Sequence, residues 1–232
     1  MQALLAAAAI AWQPVGGFEI ARTETTVAQF RAFAEATKTV TRAEHEGGGE
    51  VYEAGWTKKP GWTWRTPFGR PAGDAEPAVH VTFAEAQAFC RWAGGRLPTD
   101  AEWLRAAYTE TRAAPPTPFA TGRIYEYPTG DTPAGAQCLG DCGPGRAVAH
   151  GAALSRGAGH AAAGTTAAGV NGLFDMGGNA WEWVDHADGA GGSERRTRGG
   201  SWWYGAAQMR AGHVQSKPPD TAVVYIGFRC AR

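Results

Sequence analysis

The chain has 232 residues, 44% of them hydrophobic, with 22 Lys and Arg set against 22 Asp and Glu. That length can bury a sizeable core, and the balanced charge excludes a net field that would draw the protein to nucleic acid or to an anionic membrane. No stretch approaches the roughly 20 apolar residues that span a bilayer, while ten Trp and 33 Gly suit a compact fold with much irregular backbone rather than a helical bundle.

The first residues, 1–11, form a short apolar run ending Ala9-Ile-Ala11, the small-x-small pattern of a cleaved export signal, though without a basic residue. The expectation is a leader over 1–11 followed by a single domain over 12–232, exported to the periplasm or beyond. Phe18-Glu-Ile20 alternates as a strand does. Thr26-Val-Ala-Gln29 is a capping box that starts a helix with Val27, Phe30 and Phe33 on one face, ending near Thr37. Residues 40–77 are rich in Gly, Pro and Trp without a sustained period, and read as an ordered, loop-dominated stretch. Two more capping boxes, Thr82-x-x-Glu85 and Thr99-x-x-Glu102, start helices. The first turns Phe83, Ala86, Phe89 and Cys90 inward and stops at Gly94-Gly95. The second carries Trp103, Leu104 and Ala107 inward. Residues 109–170 read as surface loops. Short strand-like pieces then return at Ala180 to Val184, Arg198 to Trp203 and Ile226 to Arg229. Helices first and short strands later predict an α+β fold.

Cys90, Cys138, Cys142 and Cys230 are even in number, which permits disulfides in an oxidising compartment. Cys138-Leu-Gly-Asp-Cys142 could close a local bridge or hold a metal, and the bridge is preferred. The six histidines, at 45, 80, 150, 160, 186 and 213, show no metal-binding spacing. His80 is expected to be a buried, hydrogen-bonded core residue. No P-loop, dinucleotide fingerprint or Gly-x-Ser-x-Gly elbow is present.

The densest stretch runs from Asn171-Gly-Leu-Phe-Asp-Met-Gly-Gly-Asn-Ala-Trp-Glu-Trp183 through Arg198-Gly-Gly-Ser-Trp-Trp203 to Ile226-Gly-Phe-Arg-Cys-Ala231. With Phe18 to Phe30, Val79-His-Val-Thr-Phe83, and Cys90-Arg-Trp-Ala-Gly-Gly-Arg-Leu-Pro-Thr-Asp-Ala-Glu-Trp103 upstream, these blocks resemble, in order, the formylglycine-generating enzyme (sulfatase-modifying factor) family. The resemblance covers nearly the whole chain from Trp12. It implies that family's variant of the C-type lectin fold, with much irregular structure around a small twisted sheet. It also implies a disulfide from Cys90 to Cys230, nominally worth about 4–5 kcal/mol in the chain-entropy model.

The family's oxidase chemistry rests on two cysteines just after the Gly-Gly-Ser motif, a thiolate pair of the soft kind that selects Cu(I). Ser201 matches the motif serine, but Tyr204 and Met209 stand at the two cysteine positions. Formylglycine production by the copper mechanism is therefore not expected, nor is copper as the cofactor. Asp175, Gly178, Ala180 and Glu182 match positions where the family holds calcium with acid side chains and backbone carbonyls, the hard oxygen donors this ion prefers. A structural Ca²⁺ is expected there.

Ser201, Trp203, Tyr204, Met209, His213 and Tyr225 surround the former catalytic position and form a candidate ligand surface of the aromatic kind favoured at binding hot spots. The leading expectation is an exported, monomeric binding module for a peptide, a protein or a small molecule, with no nucleic acid and no membrane span. The rivals are an oxidoreductase of different chemistry on the same frame, a sequence-diversified C-type-lectin-like binding protein, and a module that only scaffolds an envelope complex.

Overall fold

The computed structural model describes residues 9–52, 55–140, 142 and 159–232. Residues 1–8 of the expected leader, Asp141, His150 and the middle of the long loop region lie outside the described residues. The chain opens on a hairpin of β1 (Trp12–Val15) and β2 (Phe18–Ala21), joined through Gly16 and Gly17 at φ +47° and +112°. A two-residue hairpin turn demands this left-handed backbone, which glycine takes without strain.

Helix α1 (Val27–Thr37) begins at the Thr26–Gln29 capping box and buries Val27, Phe30, Phe33 and Ala34. After it, the stretch read as loop contains more structure than expected. A one-turn helix, α2 (Arg42–His45), is capped reciprocally by Thr41 and Glu44. A short hairpin follows, made of β3 (Glu50–Tyr52) and β4 (Trp56–Lys58). Helices α3 (Phe83–Trp92) and α4 (Asp100–Tyr108) start at the two predicted boxes. On α4 the inward face is Trp103, Ala106, Ala107 and Tyr108, while Leu104 is only half-buried.

Four strands form the main sheet, in the order β7 (Gln215–Lys217), β6 (Glu194–Arg198), β5 (Trp181–Asp188), β8 (Ile226–Gly227). Neighbours are antiparallel except β8, which runs parallel to β5. The two-residue alternation of β5 divides its side chains between two environments. Trp183 meets Phe83 of α3 edge-on, whereas Glu182 meets Trp103 of α4.

The larger core joins Phe30, Phe89, Phe228 and Trp64 through rings 5.1 to 6.2 Å apart. Aromatic pairs of this geometry add about 0.5–1.5 kcal/mol each beyond area burial. The chain end closes the molecule: the backbone N–H of Ala21 bonds the carbonyl of Cys230, and that of Arg232 bonds Glu19. Both cysteine pairs are joined, Cys90 to Cys230 and Cys138 to Cys142.

One expectation about the sheet is corrected. Arg198 to Trp203 does not continue as a strand, because Gly199 and Gly200, at φ +98° and +79°, turn the chain out of β6. Trp202 and Trp203 are both buried and meet edge to face at 5.2 Å. His80 lies in the core as expected, with Nε2 3.0 Å from the Pro67 carbonyl, and burial holds its pKa down at about 4.

Candidate ligand cleft and buried charge site

The six candidate ligand residues separate into a buried group and a surface group. Ser201, Trp203, Met209 and Tyr225 are at most 1% exposed, while Tyr204 and His213 reach the surface. The Ser201 hydroxyl accepts from the Trp203 amide at 3.3 Å and so braces its own turn. Trp203 stacks on Tyr225 with ring centres 5.9 Å apart, and Tyr204 stands edge-on to Tyr225 at 6.0 Å and to Trp181 at 5.7 Å. Burial and the hydrogen bond to Tyr204 push the Tyr225 hydroxyl far above the usual tyrosine range. His213 leans on Trp181 at 5.7 Å, and burial followed by the Arg198 charge holds its pKa down. Met209 lies on the other side of the turn, its sulfur 3.6 Å from Cys142.

The structure shows exposed aromatic residues on a neighbouring hairpin that sequence reasoning missed. Tyr52 and Trp56, on the β3–β4 hairpin, are 45% and 50% exposed and meet edge-on at 5.4 Å. The Lys217 ammonium of β7 sits 5.8 Å from the Trp56 ring centre, within cation–π reach. The Glu50 N–H donates to the Ala222 carbonyl and the Glu50 carbonyl accepts from the Val224 N–H, which ties this hairpin to the segment that leads into Tyr225. The Trp181 indole N–H, His213 Nε2 and Gln215 Oε1 are buried with no hydrogen-bond partner. The exposed Trp56 among charged residues was the one available signal. Nothing in the sequence says that β3–β4 packs beside residues 204–225.

A second site lies on the α4 side of β5. The Glu182 carboxylate is gripped by Arg229, with Nε 2.8 and 2.9 Å and Nη2 2.7 Å from its oxygens, and it also accepts from Trp103 Nε1 at 2.7 Å. Arg229 further donates to the carbonyls of Ala21 and Phe174. Asp175, at φ +59°, accepts from Gly164 N and Thr166 Oγ1, each at 2.6 Å. Glu24, also missed in the sequence, accepts from Asn179 Nδ2 at 2.5 Å and Ala180 N at 2.9 Å. Three buried carboxylates thus share one guanidinium. Burial, then Asp175 and Glu182, raise Glu24 well above the carboxylate range, and burial raises Asp175. Of the four positions assigned to calcium, Asp175 and Glu182 supply side chains to this network, and Gly178 and Ala180 lie on the turn between them. Among the described residues no group of three or more His, Cys, Asp or Glu is placed to hold a metal by side chains alone.

The sulfatase-modifying factor enzyme 1-like domain model matches residues 7–232. The chain belongs to this family. It is 32% identical to the formylglycine-generating enzyme of Streptomyces coelicolor, over 92% of this chain and 77% of that protein. It is 32% identical to the hercynine oxygenase of Mycolicibacterium thermoresistibile over 94% of this chain and 51% of that protein. It is also 28% identical to the inactive C-alpha-formylglycine-generating enzyme 2 of Mus musculus, over 87% and 70%. Among solved structures, PvdO from Pseudomonas aeruginosa matches with a TM-score of 0.60 at 21% identity, covering 93% of this chain and 80% of that one. The Treponema denticola variable protein 1 matches at 0.59 and 17% identity, covering 97% and 92%. These two establish the fold alone. Within the sulfatase-modifying factor frame, this chain's four cysteines are all disulfide-bonded, and none stands at position 204 or 209.

Proposed function

We propose that this chain is a single-domain, exported member of the sulfatase-modifying factor family that does not convert cysteine to formylglycine, and that its cleft binds a peptide. The observation that carries the reading is the state of the two positions after Gly199-Gly200-Ser201. Tyr204 is built into an aromatic cluster, and Met209 is buried against a disulfide. A phenol and a thioether cannot form the thiolate pair on which the copper chemistry depends. The relative named inactive in mouse supports a member without that activity, and the hercynine oxygenase supports other oxidative chemistry as the rival. The two disulfides fit an oxidising compartment.

What favours a ligand surface is the exposed Tyr52–Trp56 pair with Lys217 over the Trp56 ring, together with the unpartnered polar atoms on Trp181, His213 and Gln215. Aromatic anchors supply contact area, and the polar atoms supply orientation. Incubated with a cysteine-containing sulfatase peptide, copper, a reducing thiol and oxygen, the protein is expected to give no aldehyde product by mass spectrometry; product formation overturns the reading. Trp56→Ala is expected to leave the melting curve nearly unchanged, because the ring is half-exposed. The same variant is expected to bind peptides selected from a library by the wild type at least about tenfold more weakly, the loss expected at a hot spot. Equal binding by the variant counts against the cleft.

Calcium at Asp175, Gly178, Ala180 and Glu182 is part of this proposal. Its support is the charge count: if Glu24, Asp175 and Glu182 all ionise, Arg229 leaves two negative charges unmatched in a buried site. Carboxylate oxygens keep a second lone pair after accepting one hydrogen bond, so ligation and the observed bonds are compatible. Chelation is expected to lower the melting temperature, and added Ca²⁺, but not Mg²⁺, to restore it. A metal-free protein with an unchanged melting curve in both ions removes calcium from the reading.

A further inference from the structure

Cys138, Cys142 and Met209 bring three sulfur atoms together at the place where the family's two cysteines are missing. Met209 is fully buried, and its sulfur is 3.6 Å from Cys142 Sγ. Cys138 and Cys142 are bridged across four positions and pack in one cluster with Met209, Ala206, Ala136 and Tyr127. The thioether is fixed from several sides. The Met209 carbonyl accepts from the Tyr108 hydroxyl at 2.6 Å, and a Cβ added at Gly177 would stand 2.7 Å from Met209 Cε. The cysteine loop is tied to the other former catalytic position, since the Leu139 N–H donates to the Tyr204 carbonyl at 2.9 Å.

We propose that the Cys138–Cys142 disulfide opens on reduction to give, with Met209, a binding site for one Cu(I) ion. The reduction consumes two molecules of an external thiol. The S–S bond breaks, each cysteine gains one proton and one electron, and the two reductant sulfurs join in a new disulfide. Binding Cu(I) then displaces both thiol protons, so the site is two thiolates and one thioether. Soft sulfur donors of this kind select Cu(I) over harder ions. Three ligands at the metal–thiolate bond length of about 2.3 Å around one ion stand roughly 4 Å apart, close to the Cys142–Met209 separation already present. Among the described residues, no cluster of His, Cys, Asp or Glu offers the fuller set that zinc would take.

This pair is also the one set to open first. Cys90 and Cys230 are wholly buried, whereas Cys138 is partly exposed. Cys138–Cys142 closes a five-residue loop, so the chain-entropy model gives its loss a much smaller effect on the fold than loss of a bridge separated by 140 residues.

The test uses the full chain, reduced under nitrogen with a thiol, freed of it, and titrated with Cu(I) against a competing Cu(I) chelator. Alkylation followed by mass spectrometry reports which cysteines are open. The expected result is one Cu(I) per chain after reduction and none before, with Cys138 and Cys142 alkylated and Cys90–Cys230 intact. Met209→Leu, which conserves volume, should weaken retention at least tenfold and change the X-ray absorption signal from three sulfur neighbours to two. The doubly substituted Cys138→Ser, Cys142→Ser protein should retain none while keeping the wild-type circular dichroism. The proposal is overturned if the reduced wild type holds no more copper than that double variant, or if Met209→Leu binds equally well. Copper held without aldehyde product supports both this site and the preceding functional reading. Copper held with product overturns that reading alone, and no copper with no product overturns this site alone.

Discussion

Arg229→Met is expected to lower the unfolding free energy by about 3–5 kcal/mol, the cost of leaving a buried charge without its partner. For a protein of this size that corresponds to a melting temperature lower by about 6–20 °C. Arg229 is wholly buried, bonds Glu182 and acts through its charge on Asp175 and Glu24. Methionine keeps much of the volume but leaves three carboxylates with no guanidinium, and the carbonyls of Ala21 and Phe174 lose a donor.

The loss should depend on pH with a definite sign. Burial and mutual repulsion already raise Glu24 and Asp175, and the Arg229 charge holds both down. Without it their folded pKa values rise further, so the folded variant keeps protons that the unfolded chain releases above about pH 4.5, the ordinary glutamate value. The unfolded chain is the same for both proteins, so the stability gap from wild type should widen as pH rises through the raised folded-state range of Glu24 and Asp175 and narrow at lower pH. Urea unfolding at several pH values reads this directly. A drop under about 1 kcal/mol, or a gap that narrows as pH rises, contradicts the assigned network. Adding Glu182→Met to Arg229→Met should recover part of the loss, since removing both partners costs less than stranding one.

Cys90→Ala is expected to cost about 2–5 kcal/mol, the usual range for losing a native disulfide. The bridge ties the last turn of α3 to the chain end, across 140 residues and through a buried core. Cys230 and its neighbours hold more than the disulfide: the Cys230 carbonyl receives the Ala21 amide, and Arg229 precedes it. Losing the bridge should therefore loosen the N-terminal hairpin along with α3, which hydrogen exchange at β2 amides would show. Unchanged β2 protection together with an unchanged urea midpoint would mean that the backbone bonds alone close the molecule.

The helix starts were legible because each rests on local chemistry. A Thr three residues before Gln29, Glu85 or Glu102 satisfies orphan donors whatever lies further off, and all three boxes are formed. The same signal at Thr41 and Glu44 was available, but the surrounding Gly, Pro and Trp masked a helix of one turn. The family, the fold class and the Cys90–Cys230 pairing were legible because the motif blocks keep their order along nearly the whole chain. The absence of cysteine at 204 and 209 is a fact of the sequence alone.

Burial of the motif residues was decided only in three dimensions. Gly199 and Gly200 could continue a strand or leave it, and their positive φ values, which send Trp202 and Trp203 both into the core, come from what packs around them. Glu24 is 155 residues from Asn179 and 158 from Glu182, and no local pattern marks it as the third acid of the Arg229 network. Nor does spacing place Lys217 over Trp56, or Cys142 against Met209. Sequence thus determined the starts of the helices, the absence of a cysteine pair at 204 and 209 and the family frame, because these rest on near neighbours and residue identity. Tertiary structure decided which side chains share a charge, a cleft or a sulfur cluster, because Coulomb and packing forces act on distance in space rather than along the chain.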